Sequence, residues 1–206
     1  MLGAEGVKRA VIARLQQLMP TALDVRRQIT GATVFDLPEV KRYYPTAEIT
    51  ATADQYPLIT VVAEGTNGEL SNQRARVGAV VEKFEFEYTV LVRLYALVDS
   101  QAGGPAARLQ VERLALAARE ALLGDTELTV TTPDEAVVQF ERWAEEYEVN
   151  GDPDAGVWEA QAVLSVPVAT TEHLDRAPYI NARQAVLESW DVEQVPTGTA
   201  FPPKAA

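Results

Sequence analysis

Between Phe84 and Val98 eight apolar side chains recur at every second position: Phe84, Phe86, Tyr88, Val90, Val92, Leu94, Ala96 and Val98. Only an extended strand places every second side chain on one face, so this run predicts a β-strand. Its fifteen residues, at ~3.3 Å each, span roughly 50 Å, about three times a usual strand. A domain of this size hardly covers such an element, and part of it is expected to project or to meet another subunit. The intervening positions begin Glu85, Glu87, Thr89 and continue Leu91, Arg93, Tyr95, Leu97, Asp99. The first half therefore reads as one-sided and the second as buried on both faces.

The elements around this strand follow from the same kind of pattern. Residues 5–19 put Val7, Ala10, Val11, Leu15 and Met19 on one helical face, and Pro20 is expected to stop that helix. From Thr21 to Tyr56 the pattern dissolves into short fragments broken by Gly31, Pro38 and Pro45. So long a connection is usually functional or disordered. Its aromatics Phe35, Tyr43 and Tyr44 point away from disorder and leave two readings open, a functional loop or anchors to the body. Residues 57–63 (PLITVVA) read as a buried strand and 65–73 (GTNGELSNQ) as a turn around Asn67-Gly68.

Residues 106–123 form the clearest amphipathic helix, followed by Gly124 at its C-cap, and a helix so apolar directly after a long strand should pack across the sheet. Glu127–Thr131 is a short strand. Thr132-Pro133-Asp134-Glu135 has the form of a capping box, and Val137, Phe140, Ala144 and Tyr147 recur at helical spacing. The local chemistry thus predicts a helix from Pro133 to about Tyr147, with a strand entering the turn at 150–156 as the alternative. The last strand alternates from Trp158 to Val168, with Pro167 on its polar face marking an edge. From Thr170 onward periodicity is lost, apart from a short stretch at 182–190, and Pro178, Pro196, Pro202 and Pro203 punctuate the rest. Tyr179, Ile180, Trp190 and Phe201 are spaced along this extension as anchors would be along a subunit-wrapping arm. A loose tail is the other reading.

Together these elements predict an α+β fold. It is a mostly antiparallel sheet with one long strand, packed by an amphipathic helix and an N-terminal helix, with extended arms. Three segments follow: 1–56 (N-terminal helix and irregular segment), 57–170 (α+β core) and 171–206 (Pro-containing C-terminal extension).

Composition narrows the classes of function. At 47% hydrophobic residues the chain has enough apolar material for a core. A net charge of -12, from 30 acidic and 18 basic residues, argues against binding to nucleic acid or to an anionic membrane. Arg26-Arg27 and the Arg74/Arg76 pair are the nearest to a basic cluster, and solvated charges are the simpler reading of both. The absence of cysteine excludes disulfides, thiolate metal sites and cysteine nucleophiles. Glu5, Lys8, Arg9 and Arg14 interrupt any export-signal core, and no apolar run approaches 18 residues, so a soluble chain is expected.

Catalytic groups are sparse. His173, the one histidine, has Glu172 and Asp175 beside it, but no G-x-S-x-G supplies a nucleophile and a structural or solvent-exposed histidine is the reading adopted. Asp152 and Asp154 lie in a turn that lacks the later ligands of a calcium loop. Gly103-Gly104 has no Lys-Ser/Thr after it, as a phosphate loop requires. Glu141, Glu145, Glu146 and Glu148 read as a solvated face. No catalytic residue, metal site or cofactor is expected.

The order helix, irregular segment, buried strand, turn, long alternating strand, helix, hairpin, alternating strand resembles that of the tail terminator proteins of long-tailed bacteriophages. The likeness is carried by YPLITVVAEG (56–65), FEFEYTVLVRLYALVDSQAGGPAARLQVERLALAAREALLG (84–124) and VWEAQAVLSVPV (157–168). It is one of pattern rather than of invariant residues, and head-to-tail connector and tail-completion proteins share it. The 21–55 and 171–206 segments exceed what a minimal member needs. The resemblance implies a non-enzymatic virion protein, assembled in the host cytoplasm, that forms a homohexameric ring between the tail tube protein and the capsid's connector proteins. DNA would pass through without specific binding, and no membrane is involved. Phe84, Phe86, Tyr88, Tyr179, Ile180, Trp190 and Phe201 become the expected subunit interface. The alternatives are a head-side connector or stopper, and, from other classes, a binding module or a small acidic enzyme using Glu145, Glu146 or His173.

Overall fold

The alternating run folds as the spine of a seven-stranded sheet. In the computed structural model, residues 2–47, 50–69, 81–99, 103–152, 157–175 and 178 are described. They form helix α1 (Gly3–Thr30), strands β1 (Arg42–Tyr44), β2 (Leu58–Glu69) and β3 (Val81–Asp99), helix α2 (Gly103–Leu123), and strands β4 (Glu127–Leu128), β5 (Glu135–Val138), β6 (Ala144–Asp152) and β7 (Val157–Asp175). The fold is α+β, with both helices on one face of a sheet that is antiparallel except for the β1–β2 pair.

Strand β3 is longer than its alternation predicts, 19 residues, and β7 matches it residue for residue from Val81↔Asp175 to Asp99↔Val157. The even-numbered residues of β3 from Tyr88 to Ala96 are buried against the helices, as are Ala160, Ala162, Leu164, Val166 and Val168 of β7. Strand β2 contributes Ile59 and Val61 to the same core; of the apolar run 57–63, residues 57–61 are buried without a break and Val62 and Ala63 are half-buried. Helix α2 meets the sheet through small side chains, Ala107, Ala115, Ala117, Ala118 and Ala121, which let its backbone approach closely. At its start, a Cβ on Gly104 would come within 3.1 Å of the Trp158 ring, so glycine there lets the indole pack against the helix.

Four expectations are corrected. Pro20 does not end α1, which continues ten residues to Thr30, where Gly31 closes it in the left-handed conformation at φ 67°. An interior proline costs about 3 kcal/mol, but Met19, Ala22 and Leu23 carry the buried stripe past it, so tertiary packing outweighs the lost hydrogen bond. Asn67-Gly68 is not a turn; β2 runs through it, pairing Asn67 with Glu87 and Gly68 with Phe86 after a bulge at Glu64. The loss of pattern placed at Thr170 comes later, because Thr171–Asp175 still belong to β7.

The fourth correction is the largest. Residues 133–147 are not a helix but β5, a turn and the start of β6. The Asp134 N–H closes a turn on the Thr131 carbonyl (3.1 Å), and the Asp134 carboxylate accepts the His173 backbone N–H (2.7 Å). The box residue thus caps the flank of a strand. The segment fits both periods, and the open flank of β7 decides between them, since each backbone group there needs a partner. With that helix falls the edge expected at Pro167: strand β7 is central, paired with β3 on one side while β5 and β6 divide the other at Val166 and Pro167. Pro167 sits at that break, where its carbonyl accepts Gln139 N–H (2.8 Å), so its missing donor falls where no ladder bond is made.

Leu164 lies fully buried at the centre of this arrangement. Leu164→Ala should lower unfolding free energy by about 2–5 kcal/mol in urea denaturation. A loss below about 1 kcal/mol would place the core elsewhere.

Candidate functional site

The candidate surface is the end of the sheet where β3 and β7 run past the buried core. Tyr88 is 4% exposed and belongs to the core, Phe86 is half-buried at its margin, and Phe84 is half-buried one step further out. The rings form a ladder, Tyr88 to Phe86 at 6.2 Å and Phe86 to Phe84 at 6.2 Å, the outer pair stacked at 21°. Such spacings are those of favourable aromatic pairs. Strand alternation and the β3–β7 register together place Phe84 opposite Glu172 and Phe86 opposite Thr170.

Glu172 is fully buried, and four donors converge on its carboxylate. Oε2 accepts the backbone N–H groups of Leu2 (2.9 Å) and Gly3 (3.2 Å), at the start of α1. Oε1 accepts the Tyr88 hydroxyl (2.7 Å) and the Thr170 hydroxyl (3.2 Å). The amides at a helix N-terminus have no partners within the helix and carry positive partial charge, so a carboxylate there is both hydrogen-bonded and electrostatically favoured. One side chain from β7 therefore pins the start of α1 and the last buried ring of β3 together, on the same sheet face as Phe86 and Phe84.

The predicted interface residues divide. Phe84, Phe86 and Tyr88 converge at this tip, whereas Tyr179, Ile180, Trp190 and Phe201 lie outside the described residues, as do Arg74, Arg76 and Asp154. Arg26 and Arg27 are helical and paired rather than loop charges, Arg26 with Glu120 and Arg27 with Asp24 (2.6 Å) and Glu39 (2.9 Å). The glutamates of 141–148 are split by strand alternation. Glu145 faces the helices and holds Trp143 Nε1 (2.8 Å), Tyr147 Oη (2.6 Å) and Arg119 (3.3 Å). Glu146 and Glu148 point the other way and are exposed. His173 lies nine positions along β7 from Leu164, the residue opposite Glu145, or about 30 Å away. The structure does not bring these enzyme candidates together. Among the described residues no group of three or more His, Asp or Glu converges as a metal site, and no helix is long and apolar enough to cross a membrane.

Two surfaces escaped the sequence reading. The sheet face away from the helices carries Glu85, Glu87, Glu127, Glu135, Glu146, Glu148 and Glu159, with Arg42, Lys83 and Arg93 as the strand cations on it among the described residues. That asymmetry follows from register, which composition does not reveal. The second is at the end of α1. Val7, Val11, Leu18, Ala22, Val25 and Ile29 form one helical stripe, but exposure rises to 40% at Val25 and 66% at Ile29. The next turn then presents Val34 (57%) and Phe35 (89%). Among the three aromatics of the irregular segment, Tyr43 does pack against the core. Continuing α1 through Pro20 is the step that makes this stripe visible in the sequence.

The chain matches no protein-family model, and no curated protein matches it.

Burial, reinforced by the Glu172 carboxylate, raises the Tyr88 phenol above its ordinary range. Burial and Glu145 raise Tyr147 to about 12, and burial with Glu39 raises Tyr43 to about 12. A phenol kept neutral in the fold while the unfolded chain ionises near pH ~10 contributes stability that is complete below that pH and is lost as pH rises further. Urea midpoints should hold steady from pH 7 to 9 and fall above pH ~10, less steeply in Tyr88→Phe; an identical slope in that variant would detach Tyr88 from the effect. Glu172→Ala, which strips four donors of their acceptor, should cost roughly 3 kcal/mol at pH 7, and a near-neutral result would contradict the pinning role.

Proposed function

We propose that this chain is a structural subunit that assembles into a homohexameric ring of the tail terminator type, joining a phage tail tube to the connector of the capsid. The observation that carries the reading is the β3–β7 pair, 19 residues long, which extends beyond the last buried ring, Tyr88, and carries the half-buried Phe84–Phe86 stack at that end. Half-buried aromatics on a rigid ribbon, flanked by a fully satisfied buried carboxylate, suit a contact made with another protein surface. The element order, long strand then amphipathic helix then hairpin then long strand, is the order on which the resemblance to tail terminators rests.

The acidic sheet face supports the same reading. Seven glutamates against three strand cations on one face would line a passage through which DNA moves without adhering, since like charges repel phosphate. A particle role also accounts for a site made of aromatic contacts.

Native mass measurement together with negative-stain imaging tests this reading. The expected result is a six-fold ring in equilibrium with monomer, reached as concentration rises. Phe84→Glu should abolish the ring while circular dichroism and thermal midpoint stay close to those of the parent chain, because Phe84 lies outside the buried core. A stable dimer at every concentration, or rings undiminished by Phe84→Glu, would overturn the proposal.

A further inference from the structure

The exposed turn after α1 is built as a rigid projection. The Asp36 carboxylate accepts the Thr33 backbone N–H (2.9 Å) and hydroxyl (2.8 Å), Phe35 N–H bonds the Thr33 hydroxyl (3.2 Å), and Leu37 N–H bonds the Thr33 carbonyl (3.0 Å). Leu37 is fully buried beneath it, and Arg27 Nε donates to the Leu37 carbonyl (2.8 Å). With its backbone so fixed, the turn loses little freedom on binding, which is the condition for an aromatic anchor to contribute strongly. The Thr33 bonds also hold Asp36 below the usual carboxylate range, so the tip carries a full negative charge beside its apolar side chains.

A complementary groove lies at the other end of the same helix. It has a volume of about 430 Å³ and runs between the N-terminal half of α1 and the chain around β1, lined by Ile12, Ala13, Tyr43 and Pro45 together with Gln16, Lys8, Arg9 and Glu5. Lys8 Nζ bonds the Pro45 carbonyl (3.2 Å), fixing one wall. Arg9 is held only by an exposed pair with Glu5, an interaction weak enough to exchange for another carboxylate. A largely apolar slot of this size, with two cations against one carboxylate around it, matches an apolar tip flanked by Asp36 in shape class and, through Arg9, in charge.

Projection and groove cannot meet within one molecule. Ile12 and Ile29 are 17 residues apart on one continuous helix, about 26 Å. We infer that the Phe35 turn of one subunit seats in the α1–β1 groove of the next copy, making a head-to-tail contact between subunits. Two different patches joined in this way produce a closed ring when the rotation closes. The occupant named, a second copy, rests on the ring reading above; the projection, the groove and their opposite charges are independent of it.

The chain contains no cysteine, so introduced thiols report unambiguously. Phe35→Cys and Ala13→Cys both replace exposed residues and should leave the fold unchanged by circular dichroism. Mixing the two single variants under mild oxidation at assembling concentration should give a mixed disulfide dimer, and the doubly substituted chain should give a ladder ending at the ring size. Phe35→Ala should raise the concentration needed for assembly about tenfold or more. Rings that form without the mixed link, or with Phe35→Cys linked only to itself, would overturn this contact and leave the ring proposal standing. A chain that stays monomeric at every concentration, or oligomerises only when another protein is added, would overturn both.

Discussion

The rest of the molecule depends on the antiparallel ladder between β3 and β7. Its 19 pairs run without a bulge from Val81↔Asp175 to Asp99↔Val157, whereas the β2–β3 ladder breaks register at Glu64. Two strands of this length cannot be served by one neighbour each. Strand β3 takes β2 on its other side, and β7 takes β6 along one part and β5 along another. Every unpaired stretch is a row of backbone donors and acceptors, and the need to satisfy them turns 135–152 into strands although its capping-box chemistry points to a helix. The buried layer runs along Val90 to Ala96 and Ala160 to Val168, closes on Tyr88 and Thr170, and ends at Glu172, which the first amides of α1 cover. Beside it Phe86 and Phe84 stay half-buried and form the aromatic tip.

Glu172 links the two ends of this construction. It lies far from α1 in sequence, yet its carboxylate takes the first amides of that helix while the Tyr88 hydroxyl and Thr170 hydroxyl fill its other oxygen. A buried carboxylate with fewer partners would be costly. Satisfied four times over, it sets where α1 begins relative to the sheet. The orientation of α1 in turn sets where the groove beside Ile12 and the turn carrying Phe35 lie. Tip, groove and projection are therefore parts of one frame, and a shift of the α1 start would move all three.

Much of this frame was legible in the sequence. Period-two alternation located β3 and the apolar stretch of β7, the continuous apolar run located β2, and period 3.6 located α2 and the first half of α1. These signals are local and strong. What was not legible required a partner. Residues 133–147 satisfy both periods, and only the vacant side of β7 selects the strand. Pro20 reads as a stop, and only the core against Met19, Ala22 and Leu23 carries the helix past it. Phe84, Phe86 and Tyr88 were identified from alternation outrunning the expected size of the domain. Glu172 was noticed only as a neighbour of His173, because the groups it serves are brought to it by folding. Phe35 stood in a segment with two open readings, and its 89% exposure depends on where Leu37 anchors the turn.

In the ring proposed above, function would come from surfaces: the apolar tip, the projecting turn and the acidic sheet face each suit an assembly around a passage. The central claim is that the overhanging end of the β3–β7 ladder is buried on assembly. Hydrogen–deuterium exchange compared between dilute and assembled protein tests it directly, by following the amides of residues 81–87 and 169–175. Marked slowing in these two stretches on assembly, with the already protected 90–96 and 160–166 segments unchanged, is the result this account predicts. Equal exchange of the tip in both states, with slowing confined to other surfaces, would contradict it.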